Sequence, residues 1–249
     1  VSRRLVVVTG GSRGVGRAVV ARFAAHGDEV VAVGRDRTAL DATAAEVGAG
    51  VRAEVCDVTD EAAVSALFDR IGPVDVLVNN AGVSASAPLA RTALADWHGQ
   101  MEVNATGAFL CTRAALPAMM ERDRGRIVVV ASTAGRVGTR YTTAYTASKH
   151  AAVGLVRAAA AEVAGSGVTV NAVCPTFVRT DMTRRAVRRI VETTGRGEAA
   201  AEEALARMSP LGRLVEPAEV AFCVAFLAAP ESAAINGQTL VLDGGGIQA

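Results

Sequence analysis

The sequence has almost no net charge: 26 lysines and arginines against 25 aspartates and glutamates leave +1 over 249 residues. A chain so balanced carries no global field toward a polyanion, which argues against nucleic acid or an anionic membrane surface as its partner. Cysteine is scarce as well. Cys56, Cys111, Cys174 and Cys223 lie far apart, with no C-x-x-C pair and no metal-ligand spacing to the three histidines. Neither a disulfide framework nor a metal centre is expected from that pattern. Three of the four sit in apolar surroundings and read as buried thiols of a reducing compartment. No apolar run reaches the ~18–20 residues that span a bilayer, and no leader-like segment, internal repeat or low-complexity linker is read. These absences point to a cytoplasmic globular chain. With 51% hydrophobic residues it can bury a sizeable core, as one large α/β domain or two small ones.

What is present begins at the N-terminus. Leu5-Val6-Val7-Val8 is a short, continuous apolar run, the pattern of a strand buried on both faces of a parallel sheet. It leads into Thr9-Gly10-Gly11-Ser12-Arg13-Gly14-Val15-Gly16, and residues 17–25 then show helical spacing. Strand, glycine turn and helix make a phosphate-binding design. Backbone N–H groups and the helix dipole face an anion, and glycine removes the Cβ that would block its approach. The spacing is G-x-x-x-G-x-G rather than the commoner G-x-G-x-x-G, and a purely structural strand–helix connection is the alternative. A second strand, 29–34, ends in Gly34-Arg35. An acid there would bind a ribose 2′-hydroxyl and favour NAD. Arg35, with Arg13 in the glycine turn, suits a 2′-phosphate, hence NADP(H). Ordinary solvated arginines are the other reading. Asp36 reads as the N-cap of a helix beginning near Thr38. A third strand, 51–56, is followed by Asp57-Val58, where the acid either accepts from an adenine amino group or caps a turn. A fourth, 74–78, ends in Asn79-Asn80-Ala81-Gly82, which either lines a cofactor cleft or forms an Asn/Gly turn. Residues 94–120 read as a long helical region with Asn104 inside it. That amide is costly unless satisfied; it either bends the helix around a water or lies at the surface.

The densest chemistry lies between Ser132 and Lys149. Ser132 follows the apolar run 127–131 and so stands at the C-terminal end of a strand, where open α/β sheets bind substrates. Tyr145 and Lys149 fall in an Ala-rich helical segment, one turn apart on one face. Only two tyrosines are present, and Tyr141 has Tyr145, not a lysine, four residues on. An ammonium ~5 Å from a phenol lowers its pKa by ~2 units at an effective dielectric of ~20. That shift is expected to bring Tyr145 within reach of acid–base work near neutrality.

Taken together, T-G-G-S-R-G-V-G at 9–16, D-V at 57–58, N-N-A-G at 79–82, Asn104, Ser132, Y-T-A-S-K at 145–149 and C-P-T-F-V-R-T at 174–180 resemble the short-chain dehydrogenase/reductase family. Order and spacing match over almost the whole chain. The resemblance implies an α/β fold: one Rossmann-type domain over residues 1–249, with about seven parallel strands doubly wound by helices. It implies Tyr145 as acid/base, Lys149 holding the nicotinamide ribose and tuning the phenol, Ser132 positioning the substrate oxygen, and Asn104 holding a water in a proton relay. The cofactor contacts it implies are Gly10, Ser12, Arg13, Gly14, Val15, Gly16, Arg35, Asp57, Val58, Asn80, Ala81, Gly82, Tyr145, Lys149, Pro175, Val178 and Thr180. One departure stands out: Thr176 occupies a position where the family usually has glycine.

In the last quarter, residues 181–209 read as two helices with a T-T-G-R-G joint, placed to cover a substrate as a lid. A helix follows at 216–228 with Pro217 in its first turn, then a final strand within 238–245. Residues 151–163 are apolar nearly all round, which suggests burial on both sides; with the family's habit this implies a homotetramer, or at least a dimer. The pocket wall is expected from Ser84, Ala85, Arg136, Val137, Tyr141 and Phe177, beside Ser132 and Tyr145. The resemblance is nearest to 3-oxoacyl-thioester and polyketide ketoreductases. Arg184, Arg185, Arg188 and Arg189 would form one basic stripe on the lid, suited to a phosphate or an acidic carrier protein or else simply solvated. The expected activity is NADPH-dependent reduction of a ketone to a secondary alcohol. An NAD(P)-dependent secondary-alcohol dehydrogenase and a non-catalytic cofactor sensor are the alternatives.

Overall fold

The structure, a computed structural model, describes residues 3–248. Seven strands, β1 (Leu5–Thr9), β2 (Glu29–Gly34), β3 (Val51–Val55), β4 (Val76–Asn79), β5 (Gly125–Val130), β6 (Val168–Pro175) and β7 (Thr239–Leu242), form one parallel sheet in the order 3-2-1-4-5-6-7. The helices are α1 (Gly14–Ala25), α2 (Arg37–Val47), α3 (Glu61–Ile71), α4 (Leu94–Met101), α5 (Gly107–Glu121), α6 (Thr143–Glu162), α7 (Asp181–Thr194), α8 (Glu198–Ala206) and α9 (Pro217–Leu227).

The period of two along each strand divides the core into two layers. Val7, Val31, Val33, Leu77, Ile127, Val129, Val170 and Ala172 face α3, α5 and α6. Val6, Val8, Val30, Ala32, Val76, Val78, Val128 and Val173 face α1, α2 and α9. Both faces of the central strands are covered, which is why β1, β2 and β4 read as nearly unbroken apolar runs, whereas the edge strand β3, Val51-Arg52-Ala53-Glu54-Val55, alternates. Asp36 and Asp60 cap α2 and α3 by accepting the Ala39 and Ala63 N–H groups, each at 3.0 Å.

Two expected boundaries move. The fourth strand starts at Val76, not at 74, because Asp75 is held at the sheet's entrance. Its N–H donates to Leu5 O and its Oδ2 accepts from Leu5 N–H, both at 2.9 Å. The expected continuous helix over 94–120 is broken by a π turn at Glu102–Thr106, where Gly107 N–H reaches back to Glu102 O. Thr176, by contrast, needs no glycine: among the described residues the only non-glycine residues at positive φ are Asp123 and Tyr141.

The order of strands reverses between β1 and β4, and their C-terminal ends open the crevice where such sheets bind ligands. The glycine turn fills this point tightly. A Cβ on Gly16 would press into the Gly10 carbonyl and lie 2.6 Å from Asn80 Nδ2. Gly16→Ala is therefore expected to cost ~1–3 kcal/mol in urea unfolding. Gly99→Ala, on the exposed face of α4 with nothing within 4 Å of the added carbon, is expected to stabilise by ~0.5–1 kcal/mol. Equal effects of the two substitutions would show that the packing at the turn is not limiting.

Candidate active site

The turn after β1 is held from below by two side chains. Thr9 Oγ1 accepts from the Asn80 and Ala81 N–H groups at 3.0 and 3.1 Å, and Asn80 Nδ2 donates to Thr9 O and Gly10 O at 2.9 and 3.2 Å. The Asn80 Nδ2 is therefore directed into the glycine turn. Gly10 and Gly14 adopt φ of +65° and +54°, a region that favours glycine. Gly11 N–H donates to Val33 O at 3.0 Å, so the turn lies beside the end of β2. Arg13 and the neighbouring Arg35 are both exposed there.

Whether this place fits a dinucleotide is tested by its caps. Unlike α2 and α3, α1 begins at Arg13 with no side-chain cap and no acid in its first turn. The N-terminus of α7 also lacks a side-chain cap, and it abuts α1: Thr180 Cγ2 would lie 3.1 Å from a Cβ on Gly14. Asp181 in that first turn is paired with Arg184. Two uncapped helix starts converging on glycine backbone fit an anionic diphosphate. Further out, Asp57 Oδ1 accepts from Thr59 N–H and Oγ1 at 3.0 and 2.8 Å, while Oδ2 faces Arg35 at 3.6 Å. These bonds hold the Asp57 carboxyl below the usual carboxylate range. Asp57 thus makes a turn with one oxygen and keeps the other beside Arg35. Val58, Pro175 and Val178 are buried. Their side chains belong to the core at the C-terminal edge of the sheet.

The reactive cluster is assembled from four parts of the fold. Ser132, two residues past the end of β5, is in extended conformation, and its Oγ accepts from Ala134 N–H at 3.1 Å. The short turn it caps presses on α6: a Cβ on Gly135 would lie 2.8 Å from Lys149 O. Lys149, 5% exposed, donates from Nζ to Val130 O at 2.9 Å, and its Nζ lies 5.8 Å from the Tyr145 ring centroid. A Cβ on Gly82 would be 3.2 Å from Asn104 Oδ1 and 3.6 Å from Lys149 Nζ, so the ends of β4 and β5, the π turn and α6 meet at one point.

Asn104 is not at the surface. Its Oδ1 accepts from Val83 N–H, and its Nδ2 donates to Val83 O and Ser148 Oγ, each at 2.9 Å. Both amide donors are occupied by the chain, which leaves one Oδ1 lone pair for any water. Ser148, fully buried, donates in turn to Tyr145 O at 2.8 Å. Neither Ser148 nor Gly135 is singled out by sequence reasoning, because the contacts that matter, Ser148 with Asn104 and Gly135 with Lys149, join different elements.

The electrostatics overturn one expectation. The Tyr145 phenol is pushed up, not down: burial dominates, and the hydrogen bond with Ser132 opposes it. Burial likewise brings the Lys149 ammonium down to about 8. A site shielded from water disfavours both charges, and the ammonium is directed at Val130 O instead of the phenol oxygen. A neutral phenol paired with a serine hydroxyl can give a proton to an oxygen lying between them. Of the expected pocket wall, Val137 and Tyr141 are 42% and 53% exposed. Phe177, half-buried, packs against a small core of Val187, Ala201, Leu205 and Leu214.

A dinucleotide cradle at the sheet's switch point, with a Ser–Tyr–Lys cluster beside it, is the architecture of a nicotinamide-dependent oxidoreductase. Comparison with known proteins takes this further. The sequence pattern described as short chain dehydrogenase matches residues 4–190. A Streptomyces coelicolor protein named for ketoacyl reduction is 41% identical over 253 residues, covering 97% of this chain and 96% of its own. A 3-oxoacyl-[acyl-carrier-protein] reductase of Synechocystis is 38% identical over 251 residues, with 97% and 96% covered. A crystal structure of a substituted actinorhodin polyketide ketoreductase with NADPH superposes with a TM-score of 0.92 at 38% identity, covering 98% and 97%. The chain belongs to the short chain dehydrogenase family and is an oxidoreductase that binds a nicotinamide dinucleotide.

The buried ammonium has a measurable signature in the protein without cofactor. Its folded pKa of about 8 lies below its ordinary 10.5, so between those values the unfolded chain binds more protons and stability rises with pH. Wild type is expected to gain on Lys149→Met by about 1 kcal/mol per pH unit across that window. Urea midpoints at pH 7.5, 8.5 and 9.5 measure it, and parallel curves for the two proteins would contradict it.

Proposed function

We propose that the protein is an NADPH-dependent ketoreductase that converts a 3-oxoacyl thioester or polyketide-type ketone to a secondary alcohol. The observation that carries this reading is the meeting of Ser132, Tyr145 and Lys149 at the end of β5, beside the cradle formed by the glycine turn and Thr180. When bound, NADPH supplies the hydride. The chain does the rest. Ser132 Oγ and the Tyr145 hydroxyl hold the carbonyl oxygen, and Tyr145 gives it the proton. The upward shift of the phenol supports this direction, because the group stays protonated at neutral pH and is poised as a donor. Lys149 orients the ribose and stabilises the phenolate as it forms, and Asn104 fixes the geometry of the π turn beside them. Gly10, Ser12, Gly14, Val15, Gly16, Ala81 and Gly82 offer backbone to the dinucleotide, and Arg13 and Arg35 receive its 2′-phosphate.

The names of the relatives support a carbonyl carried on a thioester, and so does the basic stripe. Arg184, Arg185, Arg188 and Arg189 are all exposed on α7, with Arg184 already paired to Asp181. In this reading residues 181–209 close over the substrate as a lid on a single domain, and a carrier protein or the phosphate of its arm meets the remaining arginines. Assembly is a homotetramer. The α6 face bearing Gly154, Arg157, Ala158 and Ala161, exposed in one chain, supports a partner there. The protein works in the cytoplasm, and no helix among the described residues is long and apolar enough to cross a membrane.

Wild type is expected to oxidise NADPH in the presence of acetoacetyl-CoA, and Tyr145→Phe to lose that activity while still binding the cofactor by fluorescence titration. Near-normal turnover in the variant would refute the mechanism.

Cofactor choice has its own test. A charge-assisted hydrogen bond contributes ~1.5–3 kcal/mol, so Arg35→Ala is expected to weaken NADPH roughly 10- to 150-fold and to leave NADH nearly unchanged. A wild-type preference for NADH would overturn the assignment.

A further inference from the structure

Gln100 is buried at 3% exposure, and no motif accounts for it. It lies on α4, one turn before Asn104, and both carboxamides reach the segment that leaves β4. Asn104 Oδ1 accepts from Val83 N–H at 2.9 Å, and Gln100 Oε1 accepts from Ala85 N–H at 3.1 Å. The next alternate N–H, that of Ala87, donates to Tyr141 O at 2.8 Å. Three alternate N–H groups on one edge of an extended segment are thus paired as in a β-ladder, but by two side chains and a loop carbonyl. The Gln100 Nε2 donates to Asp96 O at 3.2 Å, which fixes the amide's orientation. Tyr141 is held at φ +67°, a conformation that costs a non-glycine residue energy and persists only where neighbours enforce it. Between Gln100, residues 85–87, Tyr141 and Ala144 lies a cleft of about 10 Å³, room for roughly one water. It adjoins Tyr145 along the chain.

We propose that Gln100 is a positioning residue that sets substrate selectivity. It holds the middle of the 83–87 wall against α4, and so fixes how wide a ketone fits beside Ser132 and Tyr145. The proposal rests on the ketoreductase reading. The outer rungs are independent of it: Val83 is pinned by Asn104 and Ala87 by Tyr141. Loss of the central rung frees residues 84–86 without dismantling the reactive cluster.

The test uses Gln100→Met, which keeps length and bulk but removes the acceptor. Two measurements are made on the full chain. In hydrogen exchange without substrate, the amides of 84–86 are expected to lose protection at least tenfold, with that of Ala87 and those of α6 unchanged. In steady-state kinetics, the kcat/KM ratio of acetoacetyl-CoA to a bicyclic ketone is expected to change at least fivefold, through KM, while NADPH affinity stays within twofold. Ala85→Pro removes the same bond from the other partner, and the same changes are expected there if Gln100→Met fails to fold. Unchanged protection of 84–86, or an equal fall in kcat on both ketones with no change in their ratio, overturns the proposal. If wild type reduces no ketone, the ketoreductase reading falls, and the exchange result alone decides whether Gln100 holds the wall.

Discussion

The site depends on a buried carboxamide that has to be satisfied. Asn104, 2% exposed, occupies the middle of what would otherwise be a continuous apolar helix. A buried donor or acceptor left unpaired costs ~1–3 kcal/mol. The chain meets this demand from two directions at once, with the backbone of Val83 and the hydroxyl of Ser148. The helix opens into a π turn around the residue that makes those bonds, as single-turn π segments do at functional sites. Because Ser148 also bonds Tyr145 O, the segment leaving β4, the interior helix and the helix carrying Tyr145 and Lys149 share one hydrogen-bonded network.

Burial around that network governs its proton chemistry. Lys149 and Cys174 are buried and Tyr145 is half-buried, and each is shifted toward its neutral form chiefly by that loss of water. The same low dielectric makes any charge that enters the site interact strongly with its surroundings. The Lys149 ammonium has a fixed carbonyl partner at the end of β5, so it is positioned by the sheet itself. Ser132 is set by the turn that follows it, and that turn meets α6 only because Gly135 has no side chain. The alignment of the three groups is thus a packing result as much as an electrostatic one.

The segment between Arg179 and Leu214 is built differently. It leaves and returns through one small pairing: Val178 bridges Val215 in parallel. Arg179 then donates to Glu202 at 2.7 Å and Glu216 at 2.9 Å, tying α8 to the start of α9. Inside, Val187, Ala201, Leu205 and Leu214 make a core separate from the two layers on the sheet. A unit with its own small core, fastened at its neck by exposed ion pairs that are each worth little, belongs to the less stable parts of a fold.

Much of this was legible in the residues themselves. Apolar runs located β1, β2, β4 and most of β5, and the glycine turn was readable as a strand–turn–helix unit. The i, i+4 spacing placed Tyr145 and Lys149 on one face, because helix geometry is local. Asp36 was readable as a cap for the same reason. Tertiary structure decided what depends on residues distant in the chain. It turned Asn80 inward, gave Asn104 its three partners, set Gln100 against Ala85, and packed Gly135 on Lys149. It also reversed the expected shift of Tyr145: spacing shows which charge is near, but only the fold shows how much water has been removed, and desolvation was the larger effect.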